Sequence, residues 1–157
     1  ENGAWSASAE PDNVLLQELL DEPFFKLPPP KSTGRELFNE VWLAQRLSSH
    51  ALSPAEVQAT LLEVTAQGIH QSLMPHGPFD RVLVCGGGAR NGQLMRRLNT
   101  LLGCPTDATD AFGIASTQVE AVAFAWLADC ALQGTRLNLG HITGSKHPVP
   151  LGCIYPA

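Results

Sequence analysis

An apolar run, Val82-Leu83-Val84-Cys85, leads straight into three consecutive glycines, Gly86-Gly87-Gly88. A helical pattern follows at once, with Leu94, Met95, Leu98, Leu101 and Leu102 at helical spacing. A short apolar run bounded by turn residues predicts a buried strand. Glycine has no Cβ, so three in succession permit positive φ and let a ligand come close to the backbone. The start of the following helix offers unpaired N–H groups and a partial positive charge. Strand, glycine turn and helix therefore make a candidate seat for phosphates or a nucleotide. A tight strand-to-helix turn without a ligand is the plainer alternative.

Two better-known glycine motifs are excluded by single residues. A phosphate-binding P-loop places lysine after its last glycine, but Gly92 is followed by Gln93. The dinucleotide fingerprint calls for a third glycine where this chain has Asn91. Asp107 and Asp110 are the only acidic residues placed to serve a dinucleotide ribose, and they keep that reading barely open.

Length and composition limit the alternatives. A chain of 157 residues can form one domain with a real core. It is 44% hydrophobic and 16% charged, the balance of a globular domain and not of a disordered one. A net charge of −5 disfavours non-specific binding to nucleic acid or anionic membranes. No apolar stretch approaches membrane-spanning length, and the first residues do not resemble a signal peptide. Cys85, Cys104, Cys130 and Cys153 are widely separated among apolar neighbours. They are expected to be small buried thiols, which suits a reducing cytoplasm. The five histidines (50, 70, 76, 141 and 147) show no metal-ligand spacing and are expected in loops or exposed positions.

Punctuation divides the chain into elements. The opening residues, Glu1-Asn2-Gly3-Ala4-Trp5, read as loop. Asp12 predicts the N-cap of a helix bearing Leu15, Leu16, Leu19 and Leu20, which Pro23 ends. Pro28-Pro29-Pro30 predicts a stiff extended stretch. Thr33 and Glu36 have capping-box spacing, ahead of a helical face with Leu37, Val41 and Ala44. Ser53-Pro54-Ala55-Glu56 is a stronger box, opening a helix that should run to about Leu73. After the glycine turn a helix should close at Gly103. A short strand is expected within 104–111. Ser116 or Thr117 should then cap a helix with Val119, Ala123, Trp126, Leu127 and Cys130 facing the core, and Trp42 should be core as well. The tail, 137–157, reads as loop. The order predicts an α/β fold, helix-rich with a small sheet, too thin for its core and so part of something larger.

Five motifs together carry a family resemblance. They are Pro29-Pro30-Lys31-Ser32-Thr33-Gly34-Arg35-Glu36, Cys85-Gly86-Gly87-Gly88-Ala89-Arg90-Asn91, Thr109-Asp110-Ala111-Phe112-Gly113-Ile114, Glu120-Ala121-Val122-Ala123-Phe124-Ala125-Trp126-Leu127-Ala128 and Leu151-Gly152-Cys153-Ile154-Tyr155-Pro156. In this order the chain resembles the C-terminal part of the anhydro-N-acetylmuramic acid kinases, within the sugar kinase, Hsp70 and actin superfamily. The resemblance implies the C-terminal lobe of an actin-like (ribonuclease H-like) ATPase fold. It implies ATP and magnesium as cofactors and an anhydro-amino-sugar as substrate. A carboxylate would activate water to open the anhydro bridge, and the freed sugar oxygen would take the phosphate. It further implies that both phosphate loops and the catalytic aspartate lie upstream of Glu1, on an N-terminal lobe that this chain lacks. The chain would then have no catalytic residue and no metal ligand of its own.

For the residues present, the resemblance assigns Gly86, Gly87 and Gly88 to the nucleotide. Asn91 would bind ribose or phosphate, or equally cap the next helix. Glu120 would hold sugar hydroxyls, although Thr117-x-x-Glu120 also reads as a capping box. Lys31, Arg35 and Asp110 are further candidates, each with a bland alternative: a solvated base, or a cap on the Phe112 turn. A lone lobe would leave apolar surface uncovered, with the Leu15, Leu16, Leu19 and Leu20 face and Phe24-Phe25 as candidates, and could pair as a homodimer. The competing reading is a non-catalytic nucleotide-binding or interaction module with the same lobe fold.

Overall fold

Asp12 opens the first helix. Its Oδ1 accepts the Leu15 amide at 2.8 Å, and α1 runs Asn13–Leu20. The computed structural model describes residues 1–155. Ser53 and Glu56 form the expected reciprocal box, opening the longest helix, α4, over Pro54–Leu73. This helix is the hub. Leu15, Leu16, Leu19 and Leu20 of α1 are buried with Val64 of α4 in one cluster. Far from being uncovered, that leucine face is buried against α4. Thr60 ties the two helices together: its hydroxyl accepts the Asp12 amide at 2.9 Å and donates to the Glu56 carbonyl at 2.8 Å.

Two shorter helices lie between α1 and α4. Pro23 ends α1 as expected but also starts α2, Pro23–Lys26. The triple-proline stretch bends instead of running extended. The Thr33-Glu36 box does not form. Glu36 folds back to accept the Gly34 amide at 2.7 Å, and the next helix, α3 (Glu40–Leu47), begins behind Asn39, whose side chain accepts from Trp42. An N-cap needs an acceptor free to reach forward, and only Asn39 has one. Val41 and Ala44 consequently face solvent. Trp42 is half-buried, in edge-on contact with Phe38, and its Nε1 donates to the buried Glu22 at 2.8 Å.

On its other side α4 packs against α5 (Gly92–Leu102) through Leu62, Ala66, Leu94 and Leu98. A charged clasp reinforces this contact. Arg97 Nε and Nη2 donate to the two carboxylate oxygens of Glu63 at 2.6 and 2.8 Å, and Gln67 donates at 2.6 Å. Helix α5 connects β1 (Val82–Val84) to β2 (Thr106–Ala108), which pair in parallel with Val82 opposite Thr106. This is a βαβ unit with a two-stranded sheet. Leu83 is 44% exposed, so β1 is not the buried strand its composition predicts: the described residues supply only a two-stranded sheet to cover it.

The last helices are α6, Val119–Leu132, and the short α7, Gly140–Thr143. No side chain caps α6. Residues 115–118 form a turn closed by Gln118 N–H donating to the Ala115 carbonyl at 2.8 Å. Helix α6 leaves that turn through Gln118, so neither Ser116 nor Thr117 occupies the cap position. Of its expected core face only Cys130 is buried; Trp126 is 54% exposed, and Val122, Phe124 and Leu132 are exposed too. The apolar residues of α6 run all the way round, so periodicity cannot assign a face. Of the cysteines, only Cys130 is buried, while Cys85 and Cys153 are exposed; all four are free thiols. His70 lies within α4, and His50 sits 3.1 Å from Glu18. Among the described residues the tail makes one antiparallel bridge, Leu137 to Val149; Pro156, which ends the fifth motif, and Ala157 lie outside the described residues. No helix among the described residues is long and apolar enough to cross a membrane.

Candidate functional site

The carboxyl ends of two parallel strands meet the start of α5, which is where open α/β sheets bind ligands. Gly86 leaves β1 with φ 78° and ψ −170°, a region in which a side chain is strongly disfavoured. Residues Gly87–Arg90 then form a single tight turn. Gly87 has no such conformational need. A Cβ built there meets nothing within 4 Å, and at Gly88 it meets only Leu94 at 3.5 Å. A glycine at 87 is thus required neither by its own φ nor by a neighbour inside the chain, and it leaves open space at the turn.

The hydrogen bonding of the turn is uneven. Ala89 and Asn91 donate to the carbonyls of Gly86 and Gly88 at 3.2 and 3.0 Å. The amides of Gly87 and Gly88 find no acceptor among the described residues. At the start of α5, two of the expected free donors are occupied. Gly92 donates to Asn2 Oδ1 at 2.8 Å and Leu94 to Asn91 Oδ1 at 3.1 Å. Asn91 therefore acts as the helix cap, and the Gly87 and Gly88 amides lie just before the start of α5.

A second loop supports the first. After β2, residues Thr109–Phe112 turn and the chain returns through Ser116. The Gly86 amide donates to the Ser116 carbonyl at 2.8 Å. The Ser116 amide donates to Asp110 Oδ2 at 3.1 Å. Hydrogen bonding from Ser116, with a smaller contribution from the charge of Arg90, holds the Asp110 carboxyl below the usual aspartate range. Asp107 pairs with Arg81, which also lies over the Phe112 ring. Both aspartates that kept the dinucleotide reading open are therefore engaged inside the chain. The Thr109 hydroxyl is buried without a hydrogen-bond partner. The sequence carries no signal for these contacts of Thr109 and Ser116, because they depend on bringing the two strand ends together.

The remaining candidates separate from this cluster. Lys31 donates to the carbonyls of Phe24 and Phe25, each at 3.1 Å, and lies over the Phe24 ring. It closes the end of α2. Arg35 is exposed beside α3. Glu120 is exposed in the first turn of α6, and its carboxylate accepts no hydrogen bond among the described residues; the capping box that offered it a structural role is not formed. An apolar groove of about 770 Å³ runs between α4, the Phe24–Phe25–Phe38 cluster and β1. It has no charged lining residue and suits apolar surface more than phosphate.

Residues 1–157 match the sequence model of the anhydro-N-acetylmuramic acid kinases over their whole length. The chain belongs to this family. A kinase of that name from Cupriavidus pinatubonensis is 48% identical over 161 residues, covering 99% of this chain and 43% of the relative. Similar values hold for kinases of the same name from Pseudomonas syringae pv. syringae (51% identity, 100% of this chain, 44% of the relative) and Pasteurella multocida (50%, 99% and 42%). The chain thus spans less than half the length of the curated relatives it matches.

Proposed function

We propose that this chain is the C-terminal, nucleotide-binding lobe of a two-lobed kinase of actin-like (ribonuclease H-like) architecture. The whole enzyme would use ATP to hydrate and phosphorylate 1,6-anhydro-N-acetylmuramic acid, giving N-acetylmuramic acid 6-phosphate, in the cytoplasm. One observation carries the reading: at Gly87 the turn combines an unpartnered amide with open space at the strand ends.

Each residue then has a task. Gly86 sets the direction of the turn. The Gly87 and Gly88 amides donate to an oxygen of the nucleotide, where backbone donors cost no reorganisation on binding. The Asn91 side chain caps α5 through Oδ1, and its amide group would donate to the ribose or phosphate. Glu120 accepts from sugar hydroxyls. ATP supplies the phosphoryl group. Its transfer depends on positioning and charge neutralisation, so the substrates must be enclosed from both sides. Among the described residues no three His, Cys, Asp or Glu side chains form a metal-binding group, and Asp107 and Asp110 are both engaged. The ligands of a magnesium ion, which would neutralise phosphate charge when bound, would then come mainly from the rest of the kinase.

The exposed apolar residues of α6 and the apolar groove beside β1 support a partner surface. The remaining part of the kinase, or a second copy, would cover them. The test is turnover. The 157-residue chain alone, given the anhydro-sugar, ATP and magnesium, should yield no phosphorylated sugar. Joining it to the upstream part of the kinase, in cis or in trans, should restore product. Robust phosphorylation by the chain alone would overturn the division of labour.

A further inference from the structure

Asp110 is exposed, yet its carboxylate is committed. Oδ2 accepts the Ser116 amide at 3.1 Å, and the Ser116 carbonyl in turn accepts the Gly86 amide at 2.8 Å. Ser116 is 4% exposed, so this link runs through the interior. The carboxylate is not needed to close its own turn. Backbone bonds already do that, Gly113 N–H donating to the Asp110 carbonyl and Ile114 N–H to the Thr109 carbonyl, both at 3.3 Å. What the carboxylate adds is a tether between the loop after β2 and the turn after β1. The tether ends on Gly86, whose φ and ψ decide where the next two amides point.

We infer that Asp110 is a positioning residue for the nucleotide: acting through Ser116, it fixes Gly86 and so aims the free amides of Gly87 and Gly88. This rests on the nucleotide reading proposed above. The hydrogen bond at the far end of this two-bond relay restrains Gly86 because the acceptor is ionised and the intermediate residue is buried.

The test uses the complete kinase with Asp110→Ala and Asp110→Asn. In Asp110→Ala the ADP dissociation constant and the KM for ATP should rise about tenfold, with the sugar KM changed by less than about twofold, as for loss of one charged hydrogen bond. Asp110→Asn keeps an acceptor oxygen and should recover most of that loss. Hydrogen exchange at the Gly86 amide should quicken in the alanine variant and much less in the asparagine variant. The inference is overturned if Asp110→Ala binds ADP as the wild type does, if Asp110→Asn is as impaired as Asp110→Ala, or if Gly86 exchange is unchanged. A wild-type enzyme that binds no ADP is a separate outcome, which overturns the nucleotide reading itself and this role with it.

Discussion

Replacing Arg97 by methionine should destabilise the chain more than replacing its partner Glu63. The two residues share one bidentate contact, but their surroundings differ. The Glu63 side chain is 7% exposed and that of Arg97 is 35% exposed. In Arg97→Met, a buried carboxylate loses both guanidinium bonds and keeps only that from Gln67. Breaking a buried pair this way costs about 3–5 kcal/mol, and the surviving bond places the value near 3. In Glu63→Met, the guanidinium can turn to water, so the loss is about 1–2 kcal/mol. The double variant Glu63→Met/Arg97→Met should fall near or below the milder single one, because no unpaired charge stays buried. Urea unfolding followed by circular dichroism at pH 7 measures all three. In melting temperature the Arg97→Met loss corresponds to roughly 8 °C for a chain of this size. Equal losses in the two single variants, or a larger loss in Glu63→Met, would refute the burial argument.

The same clasp sets a pH dependence. Hydrogen bonding from Arg97 holds the Glu63 carboxyl below its usual range, so its contribution is complete above the ordinary glutamate pKa of about 4.3 and fades as pH falls through the depressed value; the stability gap between wild type and Arg97→Met should narrow between pH 7 and pH 3 in urea titrations. Gly86→Ala should cost about 1–3 kcal/mol because φ is positive there, while Gly87→Ala should leave the unfolding midpoint unchanged. Ser53→Ala, which removes the cap of α4, should cost about 1 kcal/mol in the same assay. In the complete kinase, Glu120→Ala should raise the sugar KM at least about tenfold, by loss of hydrogen bonds to a charged acceptor, with ADP affinity and melting temperature unaltered.

Local chemistry made much of the helical frame legible. Asp12, Ser53 with Glu56, Asn91 and Gly103 bound α1, α4 and α5 because caps act within a few residues of where they are read. The glycine turn was legible for the same reason. Thr33 and Glu36 misled because Glu36 had a nearer donor, the Gly34 amide. Helix α6 misled because its apolar residues surround it, so Trp126 could not be assigned to an inside or an outside. The relay from Asp110 through Ser116 to Gly86 left no local signal. Its members lie on separate loops, and only the parallel pairing of β1 with β2 brings them together.

The account turns on whether the glycine turn seats an adenine nucleotide. Calorimetric titration of the chain with ADP and with NAD, repeated on Gly87→Val, tests this most directly. ADP should bind weakly and more tightly than NAD. Gly87→Val should abolish ADP binding while urea unfolding stays as in wild type, because the added side chain enters open space and not the core. NAD binding tighter than ADP, or ADP binding unaffected by Gly87→Val, would contradict the account.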